Sequence, residues 1–235
     1  MFEKGNYPIR SIASLKKISE FHSLRCDAKQ FESRYKELDE LIERTDYFFL
    51  GDLLPEPLVK GIQPIYIDSD DGIPVINTLS IQNLTINVED CRYIAEEVYE
   101  SILESRKLKK NDVLLTMDGG TSIGKPVLFE GEGAFTVDSH VAILRPKGIT
   151  PRALVYLLAS PIGQLQFNRA ESGASGQTSV TEEDLRRFRF PQHVLSKINE
   201  IASELDQKRQ EIENEKLMLV QREIEAWNEF TERCF

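Results

Sequence analysis

The chain has 235 residues, of which 40% are hydrophobic and 29% charged, a composition ordinary for a globular protein of one domain or one domain with an appendage. Its formal net charge of −10 at first sight argues against binding to nucleic acid. There is no apolar run near the roughly 20 residues that span a bilayer, and Met1–Gly5 lacks the basic-then-apolar order of a signal peptide, so we expect a cytoplasmic protein that does not enter a membrane.

The charge is unevenly distributed along the chain. Residues 1–104 carry 11 basic and 20 acidic side chains, a net of −9, and residues 190–235 carry 6 and 10, a net of −4. Residues 105–189 carry 12 basic and 9 acidic side chains, a net of +3. If the protein contacts DNA, the contact is expected in this central segment.

The first part of the chain predicts a helix followed by turns and short strands. Phe31, Tyr35, Leu38 and Ile42 recur at helical spacing within residues 27–44. A stretch rich in glycine and proline follows. Beyond it, short strands are predicted at 73–77 and 84–86, and a second short helix at 94–104.

From Asp112 onward the pattern becomes that of β-structure. Three apolar runs separated by glycine-rich turns predict strands at 113–117, 126–129 and 141–144. Thr150 followed by Pro151 predicts a capped helix, and Thr181 predicts another helix start. The polar residues 171–179 between these helices are expected to form a flexible loop.

The C-terminal segment from His193 to Glu232 contains neither glycine nor proline and predicts one long helix of about 40 residues, or roughly 60 Å. Apolar residues recur every seven positions, at Ile198, Leu205, Ile212, Leu219 and Ala226, but the complementary positions are polar apart from Ile201. This is half of a coiled-coil seam, so the helix is expected to pack on a second helix, in this chain or another.

No catalytic or metal-binding group is predicted. The cysteines (26, 91, 234) and histidines (22, 140, 193) are too scattered for a zinc site or a disulfide framework. Gly119–Lys125 fits the first seven positions of a phosphate-binding loop, but Pro126 replaces the required Ser or Thr and a strand follows. An ATP- or phosphate-using enzyme is therefore kept only as a minor alternative.

Several motifs stand in one recognisable order. They are the strand Lys110–Thr116, the loop Gly120–Lys125, the strand ending in Leu144-Arg145-Pro146, the helix Pro151–Gly163, the loop Gly173–Thr178 and the exit Thr181–Pro191, with Gly72–Asn77 and Leu24–Phe31 upstream. Their number and order resemble the target-recognition domain of type I restriction-modification specificity subunits, and Pro191 followed by a long helix resembles the spacer of that family. The start of the spacer departs from the family pattern, since only Lys197-Ile198 of its usual continuation is present.

The resemblance implies an α/β (α+β) fold, a curved β-rich domain with short helices followed by a long coiled-coil-type helix. It divides the chain into a DNA target-recognition domain, residues 1–191 with a helical segment at about 27–44, and a spacer or dimerisation helix, residues 192–235. Family members carry two recognition domains and two antiparallel spacers, read a two-part DNA sequence and hold adenine methyltransferase subunits.

This chain accordingly resembles a half-subunit that pairs with a copy of itself or with a different half. The implied partners are double-stranded DNA, an adenine methyltransferase and a restriction and translocation subunit. The chain itself needs no cofactor, because S-adenosylmethionine is expected only in the methyltransferase.

Side chains with paired donors and acceptors on loops are the candidates for DNA contact. They are Asn77, Thr121, Ser122, Lys125, Arg145, Arg169, Ser175, Gln177, Thr178 and Ser179. The candidates for contact with a partner helix are Ile198, Ile201, Leu205, Ile212, Leu219 and Trp227, unless this seam packs on the Phe31–Ile42 helix of the same chain. A different class of function stays open: a non-catalytic protein-interaction scaffold with a degenerate recognition domain, which the overall acidity favours.

Overall fold

The structure is a computed structural model that describes residues 27–174 and 177–234, together with residue 18. In the described part the α-helices are α1 Ser33–Glu43, α2 Glu96–Ser101, α3 Pro151–Ala159, α4 Pro161–Ala170, α5 Glu182–Arg186, α6 Gln192–Leu195 and α7 Ile198–Cys234. The strands are β1 Tyr47–Phe49, β2 Val59–Lys60, β3 Ile73–Ile76, β4 Ile81–Gln82, β5 Thr85–Ile86, β6 Arg92–Ile94, β7 Val113–Thr116, β8 Pro126–Leu128, β9 Thr136–Val137, β10 Val141–Leu144, β11 Ser172–Ala174, β12 Gln177–Ser179 and β13 Arg189–Pro191. Short 3-10 turns occupy 28–31, 50–53, 88–90, 104–106 and 120–122.

The centre of the domain is an antiparallel sheet in the order β2-β10-β7-β8. Every residue of β7 is buried because both faces of the sheet are covered. Val113 and Leu115 point into the larger hydrophobic core, under α3 and α4, whereas Leu114 points into a second core on the opposite face. This explains why the strand is continuously apolar instead of alternating.

A smaller sheet in the order β6-β3-β9 stands beside the central one. β3 pairs with β6 antiparallel and with β9 parallel, and its Val75 packs with Ile94 and Tyr99 in a third, smaller core. Because β9 leads through the turn at Asp138 directly into β10, the two sheets are joined by only a few residues.

The predicted helix starts are confirmed. The Thr150 hydroxyl accepts a hydrogen bond from the Ala153 amide with Pro151 in the first turn of α3, and the Thr181 hydroxyl accepts one from the Asp184 amide at the start of α5. The apolar face of α3 is buried in the larger core, with Leu154 and Leu158 fully covered. The mixed α/β architecture and the long C-terminal helix agree with the predicted fold class.

The expectation of a loop at 171–179 is wrong for the described residues. Ser172 pairs with Ser179, and Gly173 with Thr178, so that β11 and β12 form an antiparallel hairpin. The Val180 amide donates to the Met117 carbonyl (3.0 Å) and ties the end of the hairpin to the central sheet. The polar local sequence indicates neither the cross-strand pairs of the hairpin nor the contact of Val180 with Met117, which lies some 60 residues away in the chain.

The long helix is anchored by its first turns only. Ile198 and Ala202 are buried in the larger core, and the Thr150 amide donates to the Asn199 side chain (2.9 Å). Asp206 accepts a hydrogen bond from the Tyr156 hydroxyl and forms an ion pair with Arg152 (3.1 Å). The partner of α7 within the chain is therefore α3, and the alternative of a seam on the Phe31–Ile42 helix is wrong.

Helix α1 packs elsewhere, on α4 and β13, which is why it is not available to α7. The helical pattern predicted from His193 is interrupted at Ser196 and Lys197, between α6 and α7. From residue 211 to 234 every residue of α7 is exposed. Within the part of the chain that the structure describes, no helix combines the length and the apolar character needed to cross a membrane.

Candidate nucleic-acid interface

Two polar segments that are distant in sequence meet at one end of the central sheet. The Gly119 amide donates to the Thr178 carbonyl (3.1 Å), and Asp118 forms an isolated antiparallel bridge with Ser179. These bonds bring the loop after β7, residues 119–125, against the hairpin β11–β12. We call the surface formed by this loop and this hairpin the loop–hairpin surface.

A buried hydroxyl shapes the loop. The Thr116 hydroxyl donates to the Ser122 carbonyl and accepts from the Lys125 amide (2.9 Å), while the Thr116 carbonyl accepts from the Gly124 amide (2.9 Å). Gly124 has a φ of +79°, and a Cβ on it would stand 2.7 Å from the Phe167 ring. Only glycine combines this left-handed backbone with so close an approach to α4.

This loop is not arranged as a phosphate-binding loop. Such a loop needs backbone amides that point outward and a following helix. Here the amides of Gly119, Ser122, Gly124 and Lys125 are all used within the protein, and strand β8 follows. The geometry gives no support to the minor alternative of an ATP-using enzyme.

Of the predicted DNA contacts, five side chains with described positions lie on the loop–hairpin surface, together with the backbone of a sixth residue. Thr121 is exposed, and Ser122, Lys125, Thr178 and Ser179 are half-buried. Gln177 contributes its backbone to β12, but its side chain, like the whole of Ser175, lies outside the described residues.

The carboxylate of Glu171 stabilises the hairpin. Its carboxylate accepts a hydrogen bond from the Thr178 hydroxyl (2.6 Å) and pairs with Lys29 (3.3 Å). The hydrogen bond from Thr178, followed by the charge of Lys29, holds the pKa of Glu171 below its usual value. This hydrogen bond fixes the orientation of the Thr178 hydroxyl.

Two further side chains, Lys60 and His140, border this surface and were not predicted from the sequence. The Lys60 ammonium lies 2.7 Å from Asp118, and the His140 Nδ1 lies 4.0 Å from the same carboxylate. Both side chains are substantially exposed. Lys60 sits on a two-residue strand and His140 in a turn, so no local pattern marked either as a neighbour of Gly119.

Asn77 has a structural role that the sequence analysis did not anticipate. Its Oδ1 accepts from the amides of Leu79 (2.7 Å) and Ser80 (3.2 Å), and its Nδ2 donates to the Asp90 carbonyl (2.9 Å). The residue is 7% exposed. Its donors and acceptors thus close a turn after β3 and are not presented to a base edge.

Arg145 and Arg169 also have partners within the protein. Arg145 forms a two-pronged pair with the buried carboxylate of Asp112 (2.7 and 2.9 Å), and this hydrogen bonding raises the arginine's already high pKa. Arg169 pairs with buried Asp39 (2.9 Å) and donates to the Gln30 carbonyl (3.0 Å), which joins α4 to the segment around α1. These arginines and Asn77 are therefore not part of the loop–hairpin surface.

The predicted partner-helix residues divide into two groups. Ile198 is buried against its own domain, which corrects the prediction that it is available to a partner helix. The others are exposed, between 39% for Leu205 and 63% for Trp227. Further exposed apolar residues of α7 are Leu217, Met218, Val220, Ile224 and Phe230.

In the described ranges, no three His, Cys, Asp or Glu side chains come together as a metal site would require. The described cysteines, Cys91 and Cys234, are free thiols. Burial raises the pKa of the Cys91 thiol, which makes it a core group and not a reactive one.

Comparison with known families and structures gives a consistent result. A model of the family described as the type I restriction modification DNA specificity domain matches residues 46–222. No curated protein matches the chain.

Among solved structures, the chain resembles a protein from a study of complex assembly and conformational transition of the type I R-M system, with 18% identity, a TM-score of 0.51, and coverage of 89% of this chain and 52% of that one. It also resembles the type IIG restriction endonuclease BpuSI (11% identity, TM-score 0.52, 75% of this chain and 28% of that one). A third similar structure is the HsdS subunit from Thermoanaerobacter tengcongensis, with 18% identity, a TM-score of 0.48, and coverage of 87% of this chain and 50% of that one. At these identities the first two support the fold, and the chain spans about half of the first.

Proposed function

Because the chain belongs to the family of type I restriction-modification DNA specificity domains, we propose that it is a sequence-reading half-subunit that directs an adenine methyltransferase to a two-part DNA site. The chain contributes recognition and not catalysis. S-adenosylmethionine is assigned to the methyltransferase, and a restriction and translocation subunit is a further partner. Such a complex works in the cytoplasm.

The observation that carries this proposal is the meeting of two polar segments at one end of the sheet. Thr121 and Ser122 from the loop and Thr178 and Ser179 from the hairpin present hydroxyl groups, which suit phosphates and base edges. Lys125 adds a positive charge from the only segment whose net charge is positive. A rigid sheet holds both segments, as recognition by fixed hydrogen-bond geometry requires.

The carboxylate of Asp118 has a definite place in this proposal. It pairs with Lys60 in the free protein (2.7 Å), so that Lys60 becomes available to a DNA phosphate by exchanging one oxyanion for another. The pair is exposed and its exchange therefore costs little. Lys60 and Lys125 together supply the phosphate contacts, and the hydroxyl groups and the amide of Gln177 supply the base contacts.

The test is selection from a pool of random duplexes with the full chain and its methyltransferase, followed by affinity measurement on the enriched sequence. We expect Lys125→Ala to weaken binding about equally for all sequences and to reduce the salt dependence by about one counterion. Lys110→Ala is the matched control, since Lys110 precedes β7 and thus lies at the other end of that strand from the loop.

The scaffold alternative predicts a different result. The net charge of −10 and the exposed apolar residues of α7 favour a protein that binds only proteins. In that case no duplex sequence is enriched at low salt, and Lys125→Ala changes nothing. Light scattering with the methyltransferase completes the comparison, because a chain that ignores the methyltransferase contradicts the specificity role.

A further inference from the structure

Helix α4 contacts both segments of the loop–hairpin surface. The side-chain amide of Gln164 donates to the Gly124 carbonyl in the loop (2.7 Å), and the Phe167 ring lies against the same glycine. Directly after the helix, the Glu171 carboxylate accepts the hydrogen bond of the Thr178 hydroxyl from the hairpin (2.6 Å). Positions 164, 167 and 171 are spaced as neighbours on one side of a helix, so a single face of α4 meets both segments.

The loop and the hairpin are also bonded directly to each other. The Gly119 amide donates to the Thr178 carbonyl (3.1 Å), while the hydroxyl of the same threonine donates to Glu171. The loop, α4 and the hairpin therefore form a closed ring of contacts. A displacement of any one of the three requires the loss of a hydrogen bond to at least one of the other two.

A second side chain holds the loop from within the central sheet. Thr116 is fully buried at the end of β7, and its hydroxyl donates to the Ser122 carbonyl and accepts from the Lys125 amide (2.9 Å). Two backbone groups of the loop thus share one side-chain hydroxyl. A valine at this position has the same shape but leaves both backbone groups without that partner.

We propose that Gln164 and Thr116 are positioning residues, which hold the loop and the hairpin as one rigid surface without touching DNA themselves. The consequence for DNA rests on the proposed function: readout of bases by hydrogen bonds tolerates a displacement of only about 0.5 Å. The phosphate contacts of Lys60 and Lys125 tolerate more, because a lysine ammonium is a point charge on a flexible stem. Loss of either positioning group therefore lowers discrimination between sequences more than it lowers binding itself.

Gln164 is suited to a test because its side chain contributes little to the core. The residue as a whole is exposed, yet its amide nitrogen donates to two carbonyls of the protein, those of Gly124 and Leu158 (2.7 and 3.0 Å). The second bond ties the loop to the end of α3 as well. Replacement of an exposed residue should leave the domain folded, so that its effect on the loop can be measured.

Amide hydrogen exchange of the full chain, read by mass spectrometry, tests this support without any DNA. Gln164→Met and Thr116→Val should each raise the exchange rate of residues 117–125 about fivefold or more, because each removes hydrogen bonds that close the loop. Gln164→Met should also raise exchange at residues 177–180, through the hydrogen bond between loop and hairpin. Thr116→Ser keeps the hydroxyl and should stay within about twofold of the unmodified chain. If Thr116→Val does not fold, Gln164→Met alone decides.

Gln166→Met is the matched control. Gln166 stands two positions along the same helix, on the side turned away from the loop, and its side chain bonds the Arg189 amide (2.7 Å) and the Arg189 carbonyl (3.0 Å). The same substitution there removes two hydrogen bonds between α4 and β13. It should lower the stability of the domain at least as much as Gln164→Met does, and yet leave exchange in the loop unchanged. Equal increases of loop exchange in the two variants would overturn the proposal, because a general loss of stability would explain both.

Discrimination between DNA sequences is the second readout. For Gln164→Met, the ratio of the affinities for the selected duplex and for a scrambled duplex should fall about tenfold, roughly the discrimination of one base contact, with the scrambled affinity changed less than about twofold. Thr116→Ser should keep the ratio that Thr116→Val loses. An equal fall of affinity on both duplexes would overturn the proposal. A lower ratio with unchanged loop exchange would also overturn it, since Gln164 would then contact DNA directly.

The two readouts separate this proposal from the proposed function. If the unmodified chain enriches no duplex, the proposed function fails, and hydrogen exchange still decides whether Gln164 and Thr116 hold the surface together. If a duplex is enriched and neither Gln164→Met nor Thr116→Val changes exchange in the loop, the proposed function stands and the positioning role is refuted.

Discussion

At the scale of single residues, a polar side chain on a predicted loop can either contact DNA or bind a group inside the protein, and only its surroundings distinguish these two roles. Asn77, Arg145 and Arg169 resemble base-reading residues in type and position. Yet Arg145 meets the Asp112 carboxylate 33 residues away, and Arg169 meets Asp39 at a separation of 130. Both carboxylates are buried and need a counter-charge, which outweighs any readiness of these arginines to bind DNA.

Replacement of Arg145 tests this structural role. Arg145→Ala leaves the Asp112 carboxylate buried without its partner, so we expect the free energy of unfolding to fall by about 2–3 kcal/mol, somewhat less than for a fully buried pair because part of Arg145 is exposed. Urea denaturation measures the loss. The variant Arg145→Ala/Asp112→Asn should recover part of it, and full stability of Arg145→Ala alone would contradict the assignment.

The carboxyl group of Asp138 makes stability depend on pH. Burial raises its pKa above the ordinary value of 3.8, although its carboxylate accepts a hydrogen bond from the His140 amide (2.9 Å). A raised pKa means that the folded protein prefers the neutral acid. The stabilising contribution is thus complete below pH 3.8 and is lost as the pH rises through the folded-state pKa.

Asp138→Asn keeps an acceptor for the His140 amide and removes the charge. We expect its free energy of unfolding to exceed that of the unmodified protein at pH 7, and the difference to shrink as the pH is lowered toward 4. Denaturation curves across this range provide the measurement. The exposed Asp70→Asn is the control, and a difference that grows on acidification would show that burial of Asp138 is not the cause.

At the scale of elements, the helices were recognised from local signals, whereas the hairpin β11–β12 was not. A helix satisfies its backbone from residues four positions away, and its cap is a neighbour in sequence. The hairpin satisfies its backbone across two short strands and onto Met117 and Gly119. A glycine- and serine-rich segment therefore looks unstructured until the rest of the sheet stands beside it.

The first turns of helix α7 stabilise the domain, and its distal part exposes apolar residues. A pair of truncations separates these two roles. A chain ending at Glu211 keeps Ile198, Ala202 and Asp206 on the domain, so its unfolding free energy should stay within about 1 kcal/mol of that of the full chain, with self-association lost. A chain ending at Leu195 leaves the larger core uncovered, and its unfolding free energy should be about 2–4 kcal/mol lower than that of the full chain.

Far-ultraviolet circular dichroism during urea denaturation measures both truncations, at a protein concentration at which the full chain is monomeric. This readout is needed because Trp227 is the only tryptophan in the sequence and both truncations remove it. An equal loss of unfolding free energy in the two truncated chains would mean that the exposed part of α7, and not its first turns, stabilises the domain.

At the scale of the whole molecule, the charge distribution matches the division of labour that we propose. The segment 105–189, with a net charge of +3, builds most of the central sheet, α3, α4 and the loop–hairpin surface. The acidic C-terminal segment, residues 190–235, mainly forms α7, to which the proposed function assigns no contact with DNA. The net charge of −10 therefore reports mainly on surfaces other than the loop–hairpin surface, and it limits binding at sites where specific contacts are missing.

The sequence by itself determined the fold class, the strands β7, β8 and β10, the capped helices at Thr150 and Thr181, and the family resemblance. These features depend on alternation, apolar runs, caps and the order of motifs, all of which are short-range properties. The long helix and its exposed apolar residues belong with them.

Only the tertiary structure decided which polar groups are committed inside the molecule and which face outward. It joined the 119–125 loop to the hairpin, assigned Arg145 and Arg169 to buried carboxylates, brought Lys60 and His140 to Asp118, and packed α7 on α3 in place of α1. Each of these depends on a partner tens of residues away. A hydrogen bond or ion pair has no signature in sequence until folding brings its two groups within about 3 Å of each other.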